Sequence, residues 1–229
     1  MNGGGTSLQR VRVWDLPTRV FHWLLATAVI ALVVTAKVGG NAMVWHFRLG
    51  YLVLALLAFR LVWGLVGGRW SRFRHFIYGP GSVFAYLRGH AGPGGHFEVG
   101  HSPVGALSVF ALLAVLSAQV GTGLVADDEI ANQGPLYRFV SGDTAATATG
   151  WHTGPGQWLI IGLVVLHVLA IVFYRVAKGR NLVGPMLSGD KQLPAGTPAS
   201  ADRLAQRALA LLVLALCAGG AAWVASLGG

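Results

Sequence analysis

The sequence predicts an all-α integral membrane protein with five transmembrane helices. Of its 229 residues, 54% are hydrophobic and only 11% are charged, a composition too apolar for a soluble domain of this length. Apolar stretches at 18–37, 43–66, 103–125, 156–176 and 207–226 are each long enough to cross a hydrocarbon core of about 30 Å. The third observation is the distribution of the basic residues, which predicts the orientation of the helices.

Lys and Arg concentrate before the first span, between the second and third, and between the fourth and fifth. Only Lys37 and Arg138 lie in the other loops. By the positive-inside rule this predicts a cytoplasmic N-terminus and, with five crossings, a C-terminus on the outer side of the membrane. The net charge of +9 is therefore interpreted as a topology signal, and no nucleic-acid partner is expected.

The N-terminal segment 1–9 is polar and glycine-rich, and we expect it to be disordered. Span one follows without a small-residue cleavage site, so we interpret it as a retained helix. Pro17 falls in its first turn, where a missing N–H costs little. His22 lies in its first turns, near the cytoplasmic face.

Span two begins with VWHFRLGY, which places His46 near the periplasmic face. It also carries Arg48 and Arg60, and charged residues at membrane depth need partners. Two interpretations stay open. Both side chains extend to the interfaces, or both pair with buried carboxylates such as haem propionates.

The loop 67–102 is predicted to be cytoplasmic, with a short interfacial helix at SVFAYLRG. His75, His90 and His96 have polar, glycine-rich surroundings and are interpreted as solvated. His101 opens span three and is the one candidate ligand of this loop, although a structural role is the commoner one. Span three offers no deep ligand and is interpreted as a packing helix.

The next periplasmic loop is acidic, with Asp127, Asp128, Glu129 and Asp143. Such a loop is usually just solvated. Alternatively, it could be a docking surface for a basic periplasmic electron carrier such as a c-type cytochrome.

Span four organises the chain, because its stretch WHTGPGQWLIIGLVVLHVLAIVFY carries two histidines. His152 and His167 are fifteen residues apart, which is about 22 Å along a helix. One helix from Trp151 to Tyr174 would thus present imidazoles at two levels of the membrane. The polar segment 181–206 is interpreted as a cytoplasmic linker without a fold, and 207–229 as a fifth, packing helix.

The topology pairs the four deep histidines by level: His46 with His152 near the periplasmic face, and His22 with His167 near the cytoplasmic face. Two bis-imidazole sites are what two haems need, since neutral imidazole is a favoured axial ligand. A single zinc or copper ion would not suit all four histidines, because the helix rise separates His152 too far from His167.

Two glycines, Gly50 and Gly156, follow His46 and His152 by one helical turn and would leave room for a macrocycle. No C-x-x-C-H motif occurs, so haem would be held without thioether links. A non-redox transporter or membrane anchor, in which the histidines only bond helices together, stays open.

The stretches VWDLPTRVFHWLL, the WH of VWHFRLGY, and WHTGPGQWLIIGLVVLH resemble the prokaryotic cytochrome b561 family and the related b-type cytochrome subunits of nickel-iron hydrogenases. The resemblance covers residues 10–180. It implies a four-helix bundle with two haems b, ligand roles for His22, His46, His152 and His167, and electron exchange with the quinone pool.

This chain departs from the resemblance in two ways. It has a fifth span, and the two histidines of span four are one residue further apart than the resemblance implies. The turn at 153–156 is the expected place for the extra residue, since Pro155 and two glycines can absorb it.

The predicted function is that of a di-haem b membrane oxidoreductase subunit that passes electrons between quinone and a redox partner, such as a periplasmic c-type cytochrome or a dehydrogenase. By elimination, the quinone would bind beside the inner haem, among Arg19, Arg69 and His101. An alternative activity, also suggested by the resemblance, is oxidation of superoxide at the outer haem with quinone as the acceptor.

Overall fold

The computed structural model describes residues 7–90, 97, 99–129 and 132–228. Its helices and strands, in chain order, are β1 (Leu8–Arg12), α1 (Leu16–Val38), α2 (Met43–Val66), α3 (Pro80–Leu87), α4 (Pro103–Leu124), α5 (Gly142–Thr153), α6 (Pro155–Val176), α7 (Val183–Ser188), β2 (Asp190–Pro194) and α8 (Leu204–Ser226). Five helical segments are long and apolar enough to span a membrane: α1, α2, α4, α5 with α6, and α8. The predicted fold class and the five spans are confirmed, and α3 forms at the predicted interfacial helix.

The starts of α1 and α4 follow from their sequences. Asp15 precedes α1 and its carboxylate accepts a hydrogen bond from Thr18 N, while Ser102 precedes α4 and accepts one from Gly105 N. Each cap satisfies a backbone donor that has no partner within the helix. A proline in the first turn of both helices costs no hydrogen bond.

The fourth span is broken at Gly154, so the single helix expected from Trp151 to Tyr174 is wrong. His152 ends up near the end of α5, and His167 lies within α6. The cause is local: Pro155 has no N–H to continue the ladder, and the residue before a proline is pushed out of the α region. The break falls at the turn expected to absorb the extra residue.

Four spans share one apolar core. It consists of Ala28 and Val29 of α1, Val53 and Leu57 of α2, Leu116 of α4 and Ile160 of α6. The helices pack around it as two groups. One group is α1 with α2, the other is α6 with α4 and α5, and contacts between α2 and α4 join the two groups. Helix α8 packs against α2 and α1 from outside, through Ala210 among Phe21, Leu56, Phe59 and Trp63.

The segment 181–206, expected to have no fold, is ordered instead. It contains α7 and β2, and β2 pairs antiparallel with β1 so that Leu8 lies opposite Pro194 and Arg12 opposite Asp190. Leu8 and Gln9, expected to be disordered, belong to this sheet, whereas residues 1–6 lie outside the described residues. The pairing joins segments 180 residues apart in the chain, which is why no local pattern indicated it.

A small apolar cluster lies under this sheet: Val11, Val13, Trp14, Trp70, Val99 and Leu193. This cluster closes one end of the bundle. That end is formed by the segments before α1, between α2 and α4, and between α6 and α8. We call this the basic end, because most Lys and Arg of the chain lie there. The opposite end, with Asp127, Asp128 and Asp143, is called the acidic end.

Candidate functional site

Two histidines meet near the acidic end. The ring centroids of His46 in α2 and His152 in α5 are 6.0 Å apart, with an angle of 85° between the planes. Nδ1 of His46 lies 3.0 Å from the carbonyl oxygen of Leu32, and Nδ1 of His152 lies 2.8 Å from that of Gln119. A carbonyl only accepts, so both Nδ1 atoms carry the proton and both Nε2 atoms keep a free lone pair.

The other two deep histidines meet near the basic end. The ring centroids of His22 in α1 and His167 in α6 are 6.3 Å apart, with an interplanar angle of 48°. Nδ1 of His22 is buried and has no hydrogen-bond partner among the described residues. The two helices belong to different packed groups of the bundle, so the rings face each other across the boundary between those groups.

The spacing within each pair suits one metal ion between the rings. With metal–nitrogen bonds of about 2 Å and ring nitrogens about 1 Å from their centroids, the centroids lie about 6 Å apart. A direct N–H···N hydrogen bond of about 3 Å would bring them to about 5 Å. The observed 6.0 and 6.3 Å favour an ion over a hydrogen bond between the rings.

The number of protein ligands indicates which kind of metal group each histidine pair could hold. Among the described residues, no three His, Cys, Asp or Glu side chains come together as a metal site. Protein sites for a bare zinc ion need three or four such ligands. A haem needs only two from the protein, because the macrocycle supplies the rest. Each pair therefore fits haem.

The two predicted glycines differ in the space beside them. A Cβ on Gly50 would meet no described atom within 4 Å, which leaves open space one turn after His46. A Cβ on Gly156 would instead lie 2.2 Å from Gln119 Oε1 and 2.7 Å from Trp151 Nε1. The room expected at Gly156 is therefore not found on this side of its backbone, since Gln119 and Trp151 fill it, and its part in a haem site stays a prediction.

A different glycine, which the sequence did not single out, borders the acidic-end pair. A Cβ on Gly123 of α4 would lie 2.7 Å from Cε1 of His152. The position thus lets the imidazole pass close to the backbone of α4. A Cβ on its neighbour Gly121 would meet no described atom within 4 Å, so sequence alone could not tell the two apart.

The two arginines of α2 differ sharply. Arg48 is exposed and its guanidinium lies over the ring of Trp45 at 5.0 Å, as expected for a side chain that extends to the interface. Arg60 is only 3% exposed, lies over Phe73 at 4.6 Å, and has a buried Nη1 without a hydrogen-bond partner in the described part of the chain. Burial of an unpaired guanidinium is costly, so Arg60 fits a site that receives an anionic group.

A buried acid was missed by sequence reasoning. Asp15 is 0% exposed, and its carboxylate accepts hydrogen bonds from the donors Thr18 N, Trp63 Nε1, Gly68 N and Ser71 Oγ. The carboxylate therefore joins the start of α1 to the end of α2. The signal was present, since Asp-Leu-Pro is typical of a helix start.

The residues expected to surround a quinone each have different partners in the structure. Arg19 Nη1 donates to Leu187 O, and Arg69 lies over Trp70 at 5.7 Å. His101 instead packs between Trp14 and Phe76, with ring centroids at 4.8 and 4.4 Å. Its burial lowers the pKa of His101 to about 3, so the ring is neutral at physiological pH.

Two further described histidines of the basic end, His75 and His90, have other surroundings. His90 is exposed, and His75 contacts Trp70 and Arg74. His96 lies outside the described residues.

Imidazole pairs at two levels of an apolar helical bundle are typical of one class of protein, the membrane cytochromes that hold haem between their helices. The comparison with known families gives the particular member of this class. The model of the family described as prokaryotic cytochrome b561 matches residues 13–189, and the chain belongs to this family. It is therefore a multi-pass membrane protein of the b-type cytochromes, which carry haem b in electron transport.

Several curated relatives share a name, probable Ni/Fe-hydrogenase B-type cytochrome subunit. The Cupriavidus necator protein is 24% identical over 216 residues, covering 81% of this chain and 88% of its own length. The Escherichia coli K12 relative, a hydrogenase 1 subunit, is 24% identical over 225 residues, covering 83% and 94%. The Rhodobacter capsulatus relative is 26% identical over 219 residues, covering 79% and 81%. No solved structure matches the chain.

Proposed function

We propose that this chain is a di-haem electron-transfer subunit, with His46 and His152 as axial ligands of one haem b and His22 and His167 as those of the other. The observation that carries the proposal is the pair of ring separations, 6.0 and 6.3 Å, at the two ends of the same bundle. When bound, haem b supplies a one-electron couple, and two axial imidazoles favour electron transfer over binding of an external gas.

Backbone carbonyls and arginine side chains make different contributions to the two proposed haem sites. The carbonyls of Leu32 and Gln119 hold the Nδ1 protons of His46 and His152, which fixes the tautomer and the ring orientation. Arg60, from its buried position, would pair with a propionate of the basic-end haem. Arg48 would take the corresponding role at the acidic end from the interface.

Quinone exchange is supported by a groove of about 350 Å³ on the outer surface of α1 and α7. Arg19, Trp23 and Leu187 line it, and the ring of Trp23 lies 5.1 Å from that of His22. A lipid-soluble quinone entering this groove from the bilayer would come close to the basic-end haem. This assigns Arg19 to the quinone site and leaves Arg69 and His101 outside it.

The partner follows from the names of the relatives, so we propose a nickel-iron hydrogenase. The charge distribution supports our proposal that the chain lies in a bacterial inner membrane with the basic end in the cytoplasm. With five crossings the C-terminus is then periplasmic.

The experiment is a haem count on the purified full-length protein. We expect two haems b per chain by pyridine haemochrome, and one after His46→Ala or His167→Ala. His90→Ala is the matched control, because His90 is exposed and outside both pairs, and it should keep two. A colourless protein, or a single haem in the unaltered chain, would contradict the proposal.

A further inference from the structure

Two side chains at the basic end, Arg60 and His101, lie near the same aromatic ring. The guanidinium of Arg60 lies 6.0 Å from the ring of Phe76, and the imidazole of His101 lies 4.4 Å from it. Nη1 of Arg60 and Nδ1 of His101 are both buried atoms without a partner among the residues that the structure describes. Two such atoms around one ring indicate a missing hydrogen-bonding group rather than two separate packing defects.

The surroundings of these two side chains favour an anion as the missing group. The carboxylate of Asp15 acts electrostatically on Arg60, but it already accepts four hydrogen bonds from α1, α2 and the following turn, and it forms no ion pair with Arg60 within the described ranges. Lys191, whose Nζ donates to Val99 O, is a further positive charge that acts on His101.

We propose that Arg60 and His101 together bind one carboxylate of the basic-end haem, with His101 protonated on Nδ1 as a neutral donor. This inference rests on the proposed function, and it adds His101 as a positioning residue for the cofactor. His22, His167 and Arg60 all act electrostatically on the imidazole of His101, which supports a receptor at the same end of the bundle as that pair.

Binding of the carboxylate by Arg60 and His101 would affect the difference in midpoint potential between the two haems. A buried cation and a donor to the propionate disfavour the oxidised, more positive haem, so they raise its midpoint potential. At the acidic end, Arg48 is exposed and water screens its charge. The basic-end haem therefore has the higher midpoint potential of the two.

The test is potentiometric titration of the full-length holoprotein, with each haem assigned by comparison with the His46→Ala protein, which keeps the basic-end haem. His101→Phe keeps the ring between Trp14 and Phe76 but removes both ring nitrogens. We expect the reduction equilibrium of the basic-end haem to weaken at least tenfold, which is about 59 mV for a one-electron couple. The acidic-end haem should not change.

Two further variants separate hydrogen bonding from packing. His101→Gln retains an amide donor and should restore most of the potential, while Arg60→Met should lower it further than His101→Phe does. If His101→Phe loses the basic-end haem, retention of that haem by His101→Gln supports the receptor.

Equal potentials in His101→Phe and the unaltered protein would overturn the inference, and so would equal shifts of both haems. Loss of haem from His101→Gln as well as from His101→Phe would also overturn it. None of these results affects the proposed function, which fails only if the unaltered protein lacks two haems.

Discussion

The two histidine pairs of this bundle are oriented by different means. At the acidic end, both imidazoles are held by backbone carbonyls through Nδ1, at 3.0 Å for His46 and 2.8 Å for His152. At the basic end, neither Nδ1 of His22 nor Nη1 of the neighbouring, buried Arg60 has a hydrogen-bond partner among the described residues. The comparison teaches that the protein alone orients the first pair, whereas we propose that a bound cofactor completes the second.

The largest effect on the difference between the two ends of the bundle is expected from Asp15→Ala. The substitution leaves the buried donors Thr18 N, Trp63 Nε1, Gly68 N and Ser71 Oγ without their acceptor. Each buried donor without an acceptor costs about 1–3 kcal/mol. We expect a loss of several kcal/mol in the free energy of unfolding, with the basic-end haem lost first on heating.

The measurement is thermal unfolding of the full-length protein, followed by haem absorbance and by circular dichroism. Asp143→Ala is the control, since Asp143 lies exposed in the first turn of α5. Equal melting of the two variants would show that the carboxylate of Asp15 does not hold the basic end together.

A smaller effect, on the acidic end and not on the basic end, is expected from Gly123→Ala. The new methyl group would lie 2.7 Å from Cε1 of His152, so the ring must move, and overpacking of this kind costs about 1–3 kcal/mol. We expect the acidic-end haem to be lost or spectrally shifted while the basic-end haem is retained. Haem content and low-temperature spectra of the α band measure this.

The control for that variant is Gly121→Ala, two residues away on the same helix. A Cβ on Gly121 would meet no described atom within 4 Å, so haem content should stay unchanged. Identical spectra of the two variants would contradict the assigned position of His152.

The smallest effect concerns pH. Because burial lowers the pKa of His101 to about 3, the unfolded chain binds a proton between that pH and its ordinary value near 6.5, whereas the folded chain does not. Stability should therefore be constant above about pH 6.5 and fall by up to about 1.4 kcal/mol per pH unit below it. His101→Phe should remove this part of the slope and leave the acidic end unaffected.

Thermal unfolding at a series of pH values from 7.5 to 5 would measure the difference between the two proteins. His90→Ala is the matched control, because His90 is exposed. A slope that is the same with and without the imidazole of His101 would count against its burial.

Much of the fold was predictable, because membrane spans depend on local composition. Runs of apolar residues indicated the five helices to within a few residues, with the exception of the break at Gly154. Pairing the histidines required only the direction of each span, and the structure brings His22 to His167 and His46 to His152. Their roles as ligands stay predictions.

The features that the sequence did not reveal depend on contacts between distant segments. The sheet of β1 and β2, the burial of Asp15 and the close approach of Gly123 to His152 each join parts of the chain that no local pattern links. The contrast between Arg48 and Arg60 is of the same kind. Both occur in one apolar helix, and contacts such as the packing of Phe73 over Arg60 distinguish them.

The sheet between β1 and β2 also sets an order of biogenesis. Strand β1 begins at Leu8, but its partner ends at Pro194, so at about 5–20 residues per second the ribosome delivers the second roughly 10–40 s after the first. By then all four core spans have been synthesised. Until the late strand arrives, the cluster that closes the basic end lacks Leu193, the residue that β2 contributes.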